Sequence, residues 1–286
     1  MSLRCSSTLL ALAAIAVCAL GARGDERTDG VRAELLEQMR GLAGQTKLTI
    51  SAGKMPDLVK NPVFRYDDQP RRFIDATMWL WTVQGRPVAF QKIEAVEYGD
   101  AKAPSSSWQC CFASASPDLL NVEWPGGRRF RTKEAGIEVR ALAGAPSPAE
   151  GSLQRKRQGR ELARKFSARI VTSPKNNTRQ EMRLLTTPLV EFDDPDSKEY
   201  QGAVFAFSTN GTNPDVLLLL EIRSDGQSDK PRWHFAPVRM TCCEVRLAYV
   251  DTEVWQVDWV NGTEAPFPTW TFFSTARAPL AGEAQP

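Results

Sequence analysis

Histidine occurs once in the 286 residues, at His234. A single imidazole leaves no multi-histidine zinc, iron or copper site and sharply limits a histidine-assisted acyl transfer. The chain also lacks a Gly-x-Ser-x-Gly nucleophile turn, a phosphate-binding glycine loop ending in Lys and Ser or Thr, and a dinucleotide-binding glycine fingerprint. These absences weigh against several recognisable enzyme classes. Neither sign of charge is in excess: 36 Lys plus Arg against 34 Asp plus Glu give a net +2, no global reason for a nucleic-acid partner. With 42% hydrophobic residues the chain can bury a sizeable core, yet no segment beyond the N-terminus is long and apolar enough to span a bilayer.

The N-terminus reads as an export signal. Arg4 supplies the positive end, residues 9–20 a mostly apolar stretch too short for an ordinary spanning helix, and Ala19-Leu20-Gly21 the small residues of a cleavage site. A signal peptide over 1–21 is therefore expected, giving a periplasmic or secreted chain from Ala22 with no mature transmembrane segment. Ile15-Ala16-Val17-Cys18 distantly suggests lipid anchoring at Cys18, but Val17 is bulky for that role. Removing the leader takes Cys5 and Cys18 with it and leaves Cys110, Cys111, Cys242 and Cys243. Export permits disulfides, including one between the two halves of the chain. Neighbouring strand residues face opposite sides, so a four-thiolate zinc site would demand distortion. Asn176, Asn210 and Asn261 begin glycosylation patterns that matter only in a competent secretory pathway.

An internal repeat organises the rest. Pro62 to Asp68 matches Pro188 to Asp194 in residue character at a spacing of 126, which also carries Trp79 and Trp81 onto Phe205 and Phe207. One extra residue in the second turn then aligns Gly85-Arg86-Pro87 with Gly211-Thr212-Asn213-Pro214 and Glu94 with Glu221. An ordered series of matches argues for duplication rather than composition. Each copy opens with a helix. Val31, Leu35, Met39 and Leu42 share one face near Asp29, whereas Ser147-Pro148-Ala149-Glu150 reads as the start of the second helix, with Leu162, Ala163 and Phe166 as its apolar face. Strand-like segments follow at 76–82, 88–96, 108–114 and 119–124, then at 203–207, 216–222, 233–240 and 243–250. The expected fold is α+β, a duplicated helix followed by a mainly antiparallel sheet, with repeats at 28–145 and 146–274 and a mobile tail at 275–286.

Candidate sites are few. Glu221 follows Leu217-Leu218-Leu219-Leu220, so a carboxylate beside a buried strand end is a candidate catalytic group, as is His234 between Trp233 and Phe235. The pairs Asp67-Asp68 and Asp193-Asp194 fit strand termination better than chemistry. Arg155, Arg160 and Arg164 lie in a basic helical run that could meet an acidic envelope polymer or protein, or the acidic run of a second copy through self-association. That run, from Glu191 to Glu199, could equally pair with the basic helix inside the molecule. Trp259 and Trp270, flanked by prolines, could face a ligand groove. No metal, cofactor or nucleic acid is implied.

Several segments resemble an uncharacterised family of exported planctomycete-like bacterial proteins. These are Pro146-Ser147-Pro148-Ala149, Arg160-Glu161-Leu162-Ala163-Arg164-Lys165-Phe166-Ser167-Ala168, Arg183-Leu184-Leu185, Gly202-Ala203-Val204-Phe205-Ala206-Phe207 and Leu217 to Glu221. The resemblance covers most of the second copy, implies an extracytoplasmic location and transfers no activity or site. The residues thus favour a secreted structural or protein-interaction module, then a glycan or small-ligand binding protein, then a carboxylate-based hydrolase. Enzymatic activity stays open, with the balance against it.

Overall fold

The computed structural model describes residues 29–51, 53–98, 105–173, 178–194, 196, 200–209, 211–224, 230–262, 265–278 and 280. The expected signal peptide, Cys18 and the patterns at Asn176 and Asn210 lie outside these residues. Helix α1 spans 29–45. The first strands are β1 (Lys47–Ile50), β2 (Asp57–Leu58), β3 (Phe64–Asp68), β4 (Phe73–Val83), β5 (Arg86–Tyr98), β6 (Ser105–Ser114), β7 (Leu120–Glu123), β8 (Arg129–Arg131) and β9 (Arg140–Ala141). Helix α2 (Ser152–Ala163) leads into β10 (Phe166–Ser173), β11 (Thr178–Asp193), β12 (Tyr200–Ser208), β13 (Val216–Arg223) and β14 (Arg232–Arg239). The chain ends in β15 (Glu244–Tyr249), β16 (Thr252–Val257) and β17 (Trp270–Ala276).

The strands form two large sheets and a small one, and all their pairings are antiparallel. The first sheet runs β17-β6-β5-β4-β2, with β3 also on β4. The second runs β16-β15-β10-β11-β12-β13-β14-β9. Side chains alternate between the faces of a strand, and here both faces are covered. Met78, Leu80, Phe90 and Ala113 of the first sheet share one core with Val204, Ala206, Leu217, Leu219 and Ala236 of the second. On its outer face the first sheet sets Trp79, Ile93 and Trp108 against Leu35, Met39 and Ala43 of α1. Beside them the small sheet β1-β7-β8 covers Trp81, Val88 and Phe112. The second sheet sets Phe205, Leu218, Leu220 and Trp233 against Leu162 and Ala163 of α2. The order of layers is helix, sheet, sheet, helix, which is why Leu217 to Leu220 can all be fully buried.

The two central hairpins use matching registers. Phe64 pairs with Met78 and Val190 with Val204; Ala76 pairs with Glu94 and Gly202 with Glu221; Glu94 pairs with Gln109 and Glu221 with His234. The halves also exchange edge strands: β9 from the first half closes the second sheet on β14, and β17 from the second half closes the first sheet on β6. Ordered structure therefore continues beyond 274, the point from which the sequence suggested a mobile tail. β17 reaches Ala276, and Leu280 is buried in the cluster under α1.

Helix α2 begins later than the capping pattern at Ser147 suggests. Its N-cap is Gly151, without a side-chain capping bond. Residues 147–149 instead strap across the helix: the Gln158 side chain accepts from the Ala149 N–H and donates to the Ser147 carbonyl, and Arg155 donates to the Ala149 carbonyl. Phe166 is not on the helix but opens β10. Gly159, a weak helix former in isolation, is required where it stands, because a Cβ there would lie 2.9 Å from the Tyr200 hydroxyl and 3.4 Å from the Trp233 ring.

Candidate functional site

Two buried glutamates occupy matching positions on the inter-sheet faces of β5 and β13, Glu94 at 1% exposure and Glu221 at 0%. Arg86, immediately after the Gln84-Gly85 turn of the first sheet, crosses to the second and donates to both Glu221 oxygens at 3.0 and 2.9 Å. Arg223 adds an ion pair at 2.9 Å. His234 stands opposite Glu221 in register, but its Nδ1–H donates to the Arg232 carbonyl at 3.1 Å. The two catalytic candidates are therefore neighbours on one face. The Glu221 carboxylate is nonetheless committed to two arginines and sealed from solvent, and Nδ1 of His234 is spent on backbone.

The equivalent neighbourhood of Glu94 is richer. Tyr66 donates to Glu94 at 2.6 Å, the Cys111 thiol approaches it at 3.9 Å, and Lys92 lies 3.7 Å away. Lys92 in turn donates to the Asn213 side chain at 2.8 Å and the Pro214 carbonyl at 3.1 Å, both in the β12–β13 turn of the other sheet. The residue preceding each turn proline, Arg86 or Asn213, thus reaches into the polar cluster of the opposite sheet. Burial and the Glu94 charge push the Tyr66 hydroxyl and the Cys111 thiol well above their ordinary values. Nearby, Arg71 meets Asp215 at 3.2 Å and Asp68 at 3.4 Å. These groups tie the sheets together. Among the described residues no group of three or more His, Cys, Asp or Glu could hold a metal ion.

Space for a ligand lies elsewhere. A cleft of about 310 Å³ opens at the seam of the two sheets, between the 134–140 segment, the end of β14, β16 and the start of β17. Its floor includes Phe267 and Trp270, at 5% and 3% exposure, stacked with centroids 4.9 Å apart. Phe272 continues the stack on Trp270 at 5.5 Å. Half-buried Trp255 lines the cleft, as do exposed Glu134 and Glu138. Arg140 anchors Glu138, donates to the Val254 carbonyl at 2.8 Å, and holds the Glu138 carboxyl below its ordinary value by hydrogen bonding. Arg239 secures the far wall by donating to the carbonyls of Thr241, Cys242, Cys243 and Asp258.

Of the aromatic candidates, Trp270 lines this cleft. Trp259 does not, although its neighbour Val260 does. Trp255, Phe267, Glu134 and Glu138 had no distinguishing sequence signal beyond the Pro-flanked run Phe267-Pro268-Thr269-Trp270. The basic candidates do not converge on one site: Arg160 and Lys156 both pair with Glu191 at 3.0 and 2.9 Å, Arg155 holds the 147–149 strap, and Arg164 is exposed beyond the helix end. All four described cysteines are free, so no disulfide joins the halves. No helix among the described residues is long and apolar enough to cross a membrane. Comparison with protein-family models, curated proteins and solved structures finds no match to this chain.

Proposed function

We propose that this chain is an exported, internally duplicated binding protein without catalytic chemistry, and that it takes a neutral saccharide in the seam cleft. The observation that carries the reading is the cleft of about 310 Å³ with aromatic walls and a carboxylate rim. That size falls at the lower end of the usual range for small-ligand sites, about 300–1,000 Å³. Trp255 offers a flat apolar surface to a sugar ring, and the rim carboxylates can accept hydrogen bonds from hydroxyls. Glu134 and Glu138 are matched by Arg140 and Arg239 around the cleft, so neither sign of charge is in excess there and an uncharged ligand fits better than a uronic acid. The hydrolase alternative has no support at Glu221, whose oxygens are held by Arg86 and Arg223 in a sealed interior. The basic face of α2 carries little toward an acidic partner, because Glu191 already pairs with two of its cations.

Duplication is part of the proposal, supported by the matched registers of the two hairpins and the reciprocal reach of Arg86 and Asn213. Export rests on the leader, and N-terminal sequencing of the native protein should begin at Ala22. The binding test is a panel of immobilised sugars including chitobiose, cellobiose and galacturonate. The reading expects retention on a neutral sugar and loss of it in Trp255→Ala. Retention on galacturonate alone, or on none, would sink the assignment.

A further inference from the structure

On β5 the spacing Lys92-x-Glu94 places an amine and a carboxyl on one face, because alternate residues of an extended chain share a face. That face is turned to the second sheet: Phe90, two residues earlier, lies in the shared core, whereas the intervening Ile93 packs under α1. Lys92 and Glu94 are 3% and 1% exposed, and the β12–β13 turn of the second sheet brings Asn213, also 1% exposed, against them. Lys92 Nζ donates to Asn213 Oδ1 at 2.8 Å and to the Pro214 carbonyl at 3.1 Å, and lies 3.7 Å from Glu94 Oε1. Tyr66 donates to that same carboxyl oxygen at 2.6 Å, which fixes Glu94 beside the amine.

An amine, a carboxamide and a carboxyl held together away from water are the complete set for one reaction. The amide carbon lies one C=O bond, about 1.2 Å, beyond Oδ1, so Nζ stands within about 4 Å of it, and near-attack pairs are about 3–3.5 Å apart. We propose that Lys92 and Asn213 join in an intramolecular amide bond that staples the two sheets, with Glu94 as the proton carrier. Glu94 accepts a proton from the Lys92 ammonium, and the freed lone pair of Nζ forms a bond to Asn213 Cγ. The Cγ–Nδ2 bond breaks as Glu94 returns its proton to Nδ2, and the second proton lost by Nζ follows the same route. The products are a secondary amide, an ammonium ion and the Glu94 carboxylate as it began, with no oxidant or co-reactant. The event occurs once per chain, as a self-modification without turnover. It closes a loop spanning 121 sequence positions and so restricts the unfolded chain as a disulfide does, in a protein whose four described cysteines are free. The matching tie from the other half stays ionic, because Arg86 meets Glu221 with a guanidinium, which keeps its proton and is no nucleophile.

Intact-mass spectrometry of the purified, reduced chain, followed by a tryptic map, tests the bond. The chain should be lighter than its sequence by one ammonia. The map should contain one branched peptide joining the Lys92 and Asn213 segments, with no cleavage after Lys92. Lys92→Arg keeps the cation but cannot form the amide, and Glu94→Gln keeps the shape but cannot carry the proton. Both should show the full sequence mass and two linear peptides, with dichroism establishing that each is folded. Should either variant fail to fold, the map of the native chain still decides. A native chain of full sequence mass, or one lighter by ammonia whose Lys92 peptide is linear, would overturn the cross-link. An undiminished branched peptide in folded Glu94→Gln would overturn the role given to Glu94.

Discussion

Replacing Arg86 with Met tests the tie between the sheets. Arg86 stands in the first sheet and gives two hydrogen bonds to Glu221 in the second, where the carboxylate side chain is 1% exposed and that of Arg86 20%. Removing one partner of a buried ion pair costs about 3–5 kcal/mol, because the survivor is left desolvated. Arg223 still reaches Glu221 at 2.9 Å, which places the loss at the lower end, about 3 kcal/mol. At about 2–4 °C per kcal/mol for a chain of this order, Arg86→Met should lower Tm by about 6–12 °C. The double variant Arg86→Met with Glu221→Met should recover much of that loss, since the uncompensated charge is gone. Urea unfolding followed by tryptophan fluorescence and by calorimetry would measure both. One further feature is diagnostic: residues from both sheets share a single core, so wild type should unfold in one cooperative transition. A loss below about 0.5 kcal/mol, the scale of an exposed pair, would refute the inter-sheet tie. Two separate transitions would refute the shared core.

Glu191 is held below its ordinary value of 4.5, because although burial raises it, its hydrogen bonds to Lys156 and Arg160 outweigh that effect. A depressed folded value contributes stability that is present above the unfolded value and lost as pH falls through the folded one. Glu191→Gln should therefore cost about 0.5–1 kcal/mol at neutral pH and almost nothing in strong acid, read from urea midpoints across pH. An equal cost at both ends would contradict the pairing. At Gly159, Gly159→Val should destabilise by about 1–3 kcal/mol, because the new side chain meets Tyr200 and Trp233. A neutral urea midpoint would show that α2 does not rest on the sheet there.

The parts of the fold that could be read from sequence are those where burial is dense and local. β12 and β13 are legible because both faces are covered, giving unbroken apolar runs at Ala203 to Phe207 and Leu217 to Leu220. Of β11 only the end is legible, where Asp193-Asp194 terminates it; the rest of its sixteen residues alternate weakly, carry Pro188 and are mostly solvent-facing or half-buried. The start of α2 was misplaced because Ser147-Pro148-Ala149-Glu150 has the residues of a cap, yet tertiary bonds from Gln158 and Arg155 hold it as a strap. Glu221 could be identified as a carboxylate at a buried strand end. Its partner Arg86 lies 135 residues away, and no local pattern links the two. The same non-locality hid the exchange of β9 and β17. Trp270 was visible as a Pro-flanked aromatic, but the cleft it lines is assembled from separate segments.

The central claim is that the seam cleft binds a neutral saccharide while the buried glutamates serve the architecture. Calorimetric titration of chitobiose into wild type, Trp255→Ala and Glu221→Gln tests it most directly, each variant first shown to be folded by dichroism. The account predicts one site per chain in wild type, at least tenfold weaker binding in Trp255→Ala, and affinity in Glu221→Gln equal to wild type. Unchanged affinity in Trp255→Ala, or loss of binding confined to folded Glu221→Gln, would contradict it.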